Sequence, residues 1–352
     1  MSPLTNPENR IDPFARKALG SSELMAPQLG FGAGTLGDPT EIISADQAYG
    51  TLSAAYESGI RYFDTAPWYG LTKSERRVGD FLKRQKRASF AVNTKVGRVF
   101  REQDEVAAFL KDRWKGGLPY AFDFDYTRSG FQQSFEDSLR RLGLGSVDAL
   151  AVHDLDLKFH KTETGVANRL DELEAGGGFQ WLLDRKQAGD IKAIGAGVNE
   201  AAMIKRFVER FEGWDYFLVA MPYTLLDQPA LDEAFSLCEE RGISVIIGSV
   251  FASGILATGP KESAIYAYRP AELAAIEKTR RIEEICNRYA VPLGAAALQF
   301  PLWHKVVDSV IPGGNSPGIV QTNLDWLQTS IPVDLWGELK ASGLIRKDAP
   351  TP

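Results

Sequence analysis

Phe63-Asp64-Thr65-Ala66-Pro67-Trp68-Tyr69-Gly70 decides how the rest of the chain is read. An apolar run, Ile60 to Phe63, ends in an acid, and a proline turn leads to a tyrosine followed by glycine. Alone, this is a strand entering a loop. Further along, Asn93-Thr94-Lys95 ends the next apolar run and Val152-His153-Asp154 the one after that. An acid, a cation and an imidazole therefore close successive strand-like runs.

On the N-terminal side, Leu29-Gly30-Phe31-Gly32 is a short strand closed by Gly34. Residues 44–58 form an amphipathic helix with Ala48, Leu52, Ala55 and Tyr56 on one face, stopped by Gly59. Towards the C-terminus, strands are expected over 90–94, 147–152, 191–195, 216–220, 243–247 and 306–311. Helices are expected over 73–83, 130–142, 167–188 (in two pieces about Gly176-Gly177-Gly178), 200–211, 230–241, 270–289, 295–300 and 316–327. The strands are short and apolar on both faces, as buried parallel strands are. Eight such runs, each followed by helix, predict an α/β fold closed as a (β/α)8 TIM barrel. A doubly wound sheet is disfavoured, because no Gly-x-Gly-x-x-Gly follows a strand and opens a helix.

Three segments exceed that economy. Residues 98–129 form a long loop after the third strand and carry Trp114, Tyr120, Phe122, Phe124 and Tyr126, which suggests a folded lid. Residues 249–270 form a Gly/Ser/Ala-rich loop after the seventh strand. The C-terminal tail, 328–352, carries Trp336, Leu339, Leu344 and Ile345, apolar enough to pack. Residues 1–18 are expected to be a flexible arm and 19–352 a single domain.

Composition fits this reading. The chain has 352 residues, 44% hydrophobic and 24% charged, which suits a soluble globular protein. A net charge of −6 and the lack of any basic block argue against a nucleic-acid face. Cys238 and Cys286 show neither metal-ligand spacing nor a disulfide framework, and no metal site is expected. No signal peptide or membrane-length apolar stretch is present, so a cytoplasmic protein is expected. Oligomeric state has no signature here.

In a barrel the strand C-termini gather on one face, where active sites lie. That face would collect Asp64, Lys95 and His153, then Asn199, Tyr223, Ser249 and Pro312-Gly313-Gly314. A phenol has a pKa of about 10, so Tyr69 is a poor base unless a neighbouring ammonium favours its phenolate. Lys95 is expected to lower that pKa, Asp64 to balance Lys95, and His153 to orient the reacting oxygen. Tyr69 would then exchange a proton with an alcohol oxygen while hydride moves at carbon. The hydride calls for a cofactor, because no side chain supplies one.

With these residues the chain resembles the aldo-keto reductase superfamily. Asp64, Tyr69, Lys95 and His153 match its tetrad in order. The likeness runs from about Leu29 to Leu327, through Phe63 to Gly70, Ser138-Leu139-Arg140-Arg141-Leu142-Gly143 and Val147 to His153. It is nearest to the D-threo-aldose 1-dehydrogenase, L-fucose dehydrogenase and pyridoxal 4-dehydrogenase branch. The residues behind that are Gly197-Val198-Asn199-Glu200, Tyr223 to Gln228 and Ser253 to Gly259. The resemblance implies a nicotinamide dinucleotide extended across the barrel mouth. Asn199 would bond its carboxamide, Tyr223 would stack on its ring, and Ser249, Phe251, Ser253, Gly254 and Leu256 would face its pyrophosphate. Gly34, Pro312, Gly313, Gly314 and Asn323 complete the expected cofactor contacts, and Trp68, Asp154, Trp114, Tyr126 and Trp303 are candidates for the substrate wall.

Two departures from the family matter. Ala220 stands where many relatives carry a second carboxamide ligand, a glutamine. The segment from Ile311 to Asn323 contains no cation where NADPH-using relatives bind the 2′-phosphate, so NAD is expected over NADP. The expected reaction is NAD-dependent oxidation of a cyclic hemiacetal, an aldose or pyridoxal, to a lactone. The alternatives are an NADPH-dependent carbonyl reductase of broad specificity and a cofactor-binding regulatory subunit.

Overall fold

Eight short parallel strands carry the fold: β1 (Phe31–Gly32), β2 (Tyr62–Asp64), β3 (Ala91–Val96), β4 (Ala149–His153), β5 (Ala193–Val198), β6 (Tyr216–Ala220), β7 (Ser244–Gly248) and β8 (Val307–Val310). They are seen in a computed structural model that describes residues 11–105 and 113–352. The strands neighbour one another in chain order. The sheet closes where β1 meets β8: Gly30 N donates to Val310 O at 2.9 Å and Gly32 N to Pro312 O at 3.1 Å. Gly32 permits this seam, because a Cβ there would come within 2.6 Å of the Ile311 carbonyl oxygen.

Helices follow the strands at 45–57, 73–82, 128–142, 163–175 with 178–187, 202–210, 234–241, 273–288 with 293–299, and 317–328. Polar caps set several starts: Ser44 accepts from Gln47 N, Thr127 from Gly130 N, Thr162 from Gly165 N and Ser316 from Ile319 N. Every residue of β5 is buried, which suits its run of Ala, Ile, Gly and Val. One apolar layer lies between sheet and helices. A second fills the barrel, with Tyr62, Ala149, Ala151, Ala193, Tyr216, Leu218, Ile246 and Ile311. Among the described residues no helix is long and apolar enough to cross a membrane.

The flexible-arm expectation is corrected for residues 11–18. Arg16–Ala18 pairs antiparallel with Met25–Pro27, and Ile11 is buried in the outer layer. This hairpin sends Leu19, Leu24 and Ala26 into the barrel core. Each fully buried leucine contributes about 2 kcal/mol. Gly20 N donates to Ser244 Oγ at 2.7 Å, so the hairpin covers the N-terminal ends of the strands. Residues 1–10 of the expected arm lie outside the described residues.

The long loop after β3 contains a hairpin, Arg98–Glu102 with Tyr120–Phe124. Its aromatics form a third apolar cluster with Trp68, Leu71, Phe100 and Trp114. Residues 106–112 of the expected lid lie outside the described residues. Two helix starts are later than expected. Pro229–Leu231 forms a separate turn before Ala234, and Arg269–Pro270 pairs with Ile265–Tyr266 before Leu273. The tail packs through a helix, Val333–Ala341, that buries Trp336 and Leu339.

Candidate active site

The alternation of β3 directs Asn93 and Lys95 inward and Thr94 outward, where Thr94 donates to Glu75. Lys95 Nζ donates to Asp64 Oδ2 and to the Thr65 carbonyl, each at 2.8 Å. Asn93 Nδ2 holds the other Asp64 oxygen at 2.5 Å, and Tyr216 OH donates to Asn93 Oδ1 at 2.8 Å. Burial pushes the Asp64 carboxyl above its ordinary value, with Lys95 and Asn93 pulling the other way.

The ammonium of Lys95 lies 4.8 Å from the centre of the Tyr69 ring. Proximity holds as expected, but the expected effect does not. Burial raises the Tyr69 phenol well above its usual value, with Asp64, Tyr268 and Asp154 adding to the shift and Arg113 opposing it. Burial is the largest cause, and Lys95 directs two of its three N–H donors to Asp64 and Thr65. Burial thus favours the neutral phenol.

His153 ends β4, and its ring meets that of Tyr69 edge to face at 5.9 Å. Its Nδ1 lies 3.2 Å from Arg98 Nη1, and its Nε2 lies 3.5 Å from Asp154 Oδ2. Arg98 Nη2 donates to Asp154 Oδ2 at 2.8 Å. The guanidinium is sandwiched among Trp68, Phe122, Phe124 and Phe159, at 4.6–5.3 Å from the ring centres. Asp154 Oδ1 accepts from Asn199 Nδ2 at 2.9 Å, and Lys158 Nζ donates to Asn199 Oδ1 at 3.0 Å. Burial alone would raise the Asp154 carboxyl, but its neighbours His153, Arg98 and Lys158 together bring it down to about 2. Burial with Asp154 and Glu200 nearby pushes Asp156 up to about 6.

These groups surround one cavity of about 50 Å³, lined by Trp68, Tyr69, Lys95, His153, Asp154 and Asn199 among others. Gly197 forms part of its wall, and a Cβ there would stand 3.4 Å from His153 Cδ2 and 3.7 Å from Lys95 Cε. Tyr268 roofs it. The Tyr268 hydroxyl meets Ser249 Oγ at 2.5 Å, and Lys158 and Arg113 flank its ring at 4.2 Å each. The glycine wall and polar rim are features that suit a flat polar ring. A larger groove of about 590 Å³ lies beyond Tyr266 and Ala267, but none of Asp64, Tyr69, Lys95 and His153 lines it.

The remaining expected residues divide. Trp68 and Asp154 line the cavity. Asn199 does too, but its side chain is spent on Asp154, Asp156 and Lys158. Gly34 lies against the Tyr69 ring. Ser249 and Ser253 hold Tyr268, through its hydroxyl and backbone N–H respectively. Gly254 faces open space. Pro312, Gly313, Gly314 and Asn323 sit at the seam: Thr35 Oγ1 donates to Gly314 O at 2.6 Å and Asn323 Nδ2 to Gly313 O at 3.2 Å.

Several placements correct the sequence reading. Tyr223 points into the outer layer against Phe235 and Phe300, because the chain turns at Met221 with φ +87°. It does not line the cavity. Tyr126 is buried behind His153, donating to its carbonyl at 3.0 Å. Trp114 packs in the lid cluster, Leu256 is buried in the outer layer, Phe251 leans on Trp326 and Trp303 packs on the outer layer. Arg98, Arg113, Lys158, Phe159 and Tyr268 were not foreseen. A charged residue directly after Gly97 was the one available signal for Arg98.

Comparison with known proteins shows the family. The family model described as Aldo/keto reductase family matches residues 28–343. A pyridoxal 4-dehydrogenase of Microbacterium luteolum is 38% identical over 94% of this chain and 98% of its own length. A D-threo-aldose 1-dehydrogenase of a Pseudomonas species is 36% identical over 95% of this chain and 98% of its own. The holo form of an aldo-keto reductase from Bacillus halodurans shares the fold with a TM-score of 0.70 and 24% identity, covering 95% of this chain and 97% of that one.

Proposed function

Starting from the aldo/keto reductase family, to which this chain belongs as an oxidoreductase, we propose that it oxidises a cyclic hemiacetal, an aldose or pyridoxal, to a lactone with NAD. The observation that carries this reading is the meeting of Tyr69, Lys95 and His153 on one cavity, with Asp64 behind Lys95. Two similar dehydrogenases, at 38% and 36% identity, support the substrate class. A hemiacetal carbon offers a hydroxyl proton and a hydride together.

Gly34, Gly197 and Asn199, with the loop from Ser249 to Gly254, would hold the nicotinamide dinucleotide, which accepts the hydride when bound. The protein manages the proton. Tyr69 takes it from the substrate hydroxyl once it has lost its own proton, a loss that burial opposes and Arg113 favours. His153 presents Nε2 to the reacting oxygen. Trp68 and Phe159 supply apolar walls. Asn199 must release Asp154 or Lys158 before it can bond a carboxamide.

NAD over NADP is supported by the segment after β8. Among the described residues it meets a carboxylate: Glu41 accepts from Asn315 Nδ2. Glu41 would repel a 2′-phosphate and suits a 2′-hydroxyl. The buried, unbridged Cys238 and Cys286 suit a reducing cytoplasm. One observation favours carbonyl reduction as a second reading: the raised Tyr69 pKa keeps the phenol a general acid. Pyridoxal, L-fucose and other aldoses assayed with NAD and NADP, against the matching carbonyls with NADH and NADPH, separate the two. Turnover of a hemiacetal with NAD is expected; activity confined to simple carbonyls with NADPH would replace this reading.

A further inference from the structure

We propose that Arg98 is a positioning residue that fixes His153 as the neutral Nε2–H tautomer, so that this imidazole meets the reacting oxygen as a donor, with Asp154 Oδ2 3.5 Å from the same nitrogen. The argument rests on the placement of His153 in the active site proposed above. A guanidinium carries donors and no acceptor. Arg98 Nη1 lies 3.2 Å from His153 Nδ1, so Nδ1 must present its lone pair there. The one ring proton is then on Nε2. An imidazolium would set an N–H against the guanidinium, like charge to like.

The fork of Arg98 makes the arrangement definite. One arm takes His153 and the other takes Asp154 Oδ2, the next residue in the chain. Four aromatic faces hold its plane. Arg98 is 2% exposed, and its charge is matched by an Asp154 that is itself buried. A lysine keeps the charge but cannot bridge both acceptors from one plane. The backbone of His153 is fixed separately, by Tyr126 from behind.

The groups facing His153 act on its charge in opposite directions. Burial, Arg98, Lys95 and Lys158 disfavour the imidazolium and Asp154 favours it, with the net effect well below the ordinary histidine value. The neutral Tyr69 ring faces it from the remaining side. Removing Arg98 takes away one repelling charge and frees Asp154, and both changes favour protonation.

Two measurements test the proposal. The first needs no variant. The chain has three histidines, so a nitrogen-15 histidine spectrum of the full-length protein, assigned by single substitutions, reports the His153 tautomer directly. His153 is expected as Nε2–H and uncharged at pH 7 and still uncharged at the ordinary histidine pKa of about 6.5. An Nδ1–H tautomer, or an imidazolium at pH 7, overturns the proposal.

The second compares Arg98→Met and Arg98→Lys with the parent, using the best substrate from the panel above. Both variants are expected to lose about 100-fold in kcat, the scale of a misplaced proton donor, with cofactor affinity within about twofold. Arg98→Met should also show an acid limb in kcat/KM at higher pH than the parent, as His153 becomes easier to protonate. An unchanged tautomer and pH profile in Arg98→Met overturns the proposal. If no substrate in the panel turns over, the hemiacetal reading fails while the spectrum still decides this one.

Discussion

The two ends of the barrel handle the same problems in opposite ways. At the end where helices return to strands, the left-handed turns fall on glycine: Gly59, Gly143, Gly189, Gly213 and Gly242. At the other end, Asp154, Met221 and Ser249 adopt positive φ immediately after β4, β6 and β7. A left-handed residue with a Cβ costs about 1–2 kcal/mol. The charges differ likewise. At the glycine end, Asp148 and Asp215 are buried, but each accepts from a backbone N–H and from a partly exposed Lys or Arg. At the cavity end, Asp64 and Asp154 meet cations as buried as themselves, and Asp156 sits between two other acids. One end is arranged to hold the fold; the other accepts strain to keep groups available.

The largest break in that contrast should come at Tyr69. Tyr69→Phe removes one hydroxyl from the cavity and is expected to lower turnover by at least about 10³-fold. Its melting temperature and cofactor affinity should stay close to those of the parent. Retained turnover would remove Tyr69 from the proposed chemistry.

Asp215→Ala should do the reverse. It orphans the Ile194 N–H and leaves Lys186 and Ser21 without their partner, costing about 3 kcal/mol in chemical denaturation. The kcat of the molecules that remain folded should be unchanged. A loss of kcat with little loss of stability would erase the distinction between the ends.

Asp156→Asn sharpens it further, because here a substitution should stabilise. Folding raises this carboxyl to about 6, mainly by burial with Asp154 and Glu200 adding to it. The unfolded value is about 3.9, and a raised acid favours the fold when protonated, below that value, and loses this contribution as pH rises through 6. The variant should therefore gain up to about 2 kcal/mol over the parent at pH 8, and the difference should vanish by about pH 4. A difference independent of pH would mean that Asp156 does not ionise as this account requires.

Much of this was visible beforehand, and the reasons differ by residue. The eight strands were legible because buried parallel strands leave unbroken apolar runs, and Tyr216–Ala220 matches the expected span. Asp64, Lys95 and His153 were legible because each interrupts such a run at its end. Tyr223 was misplaced because a positive φ at Met221 turns the chain outward, and nothing in the side chain of a methionine announces that. Arg98 and Tyr268 were missed because they reach the cavity from loops with no periodicity to read. The sign of the Tyr69 shift was missed because it depends mainly on how fully the phenol is buried, which only coordinates reveal.

The hairpin formed by Arg16–Ala18 and Met25–Pro27 has a practical consequence. Leu19 and Leu24 stopper the end of the barrel remote from Tyr69. A linker fused ahead of Ile11 therefore departs from the sealed end. Such a fusion could tether the enzyme to a bead or electrode with its working mouth turned to the solution, whereas trimming the chain past Leu24 to shorten the tether would uncork the barrel itself.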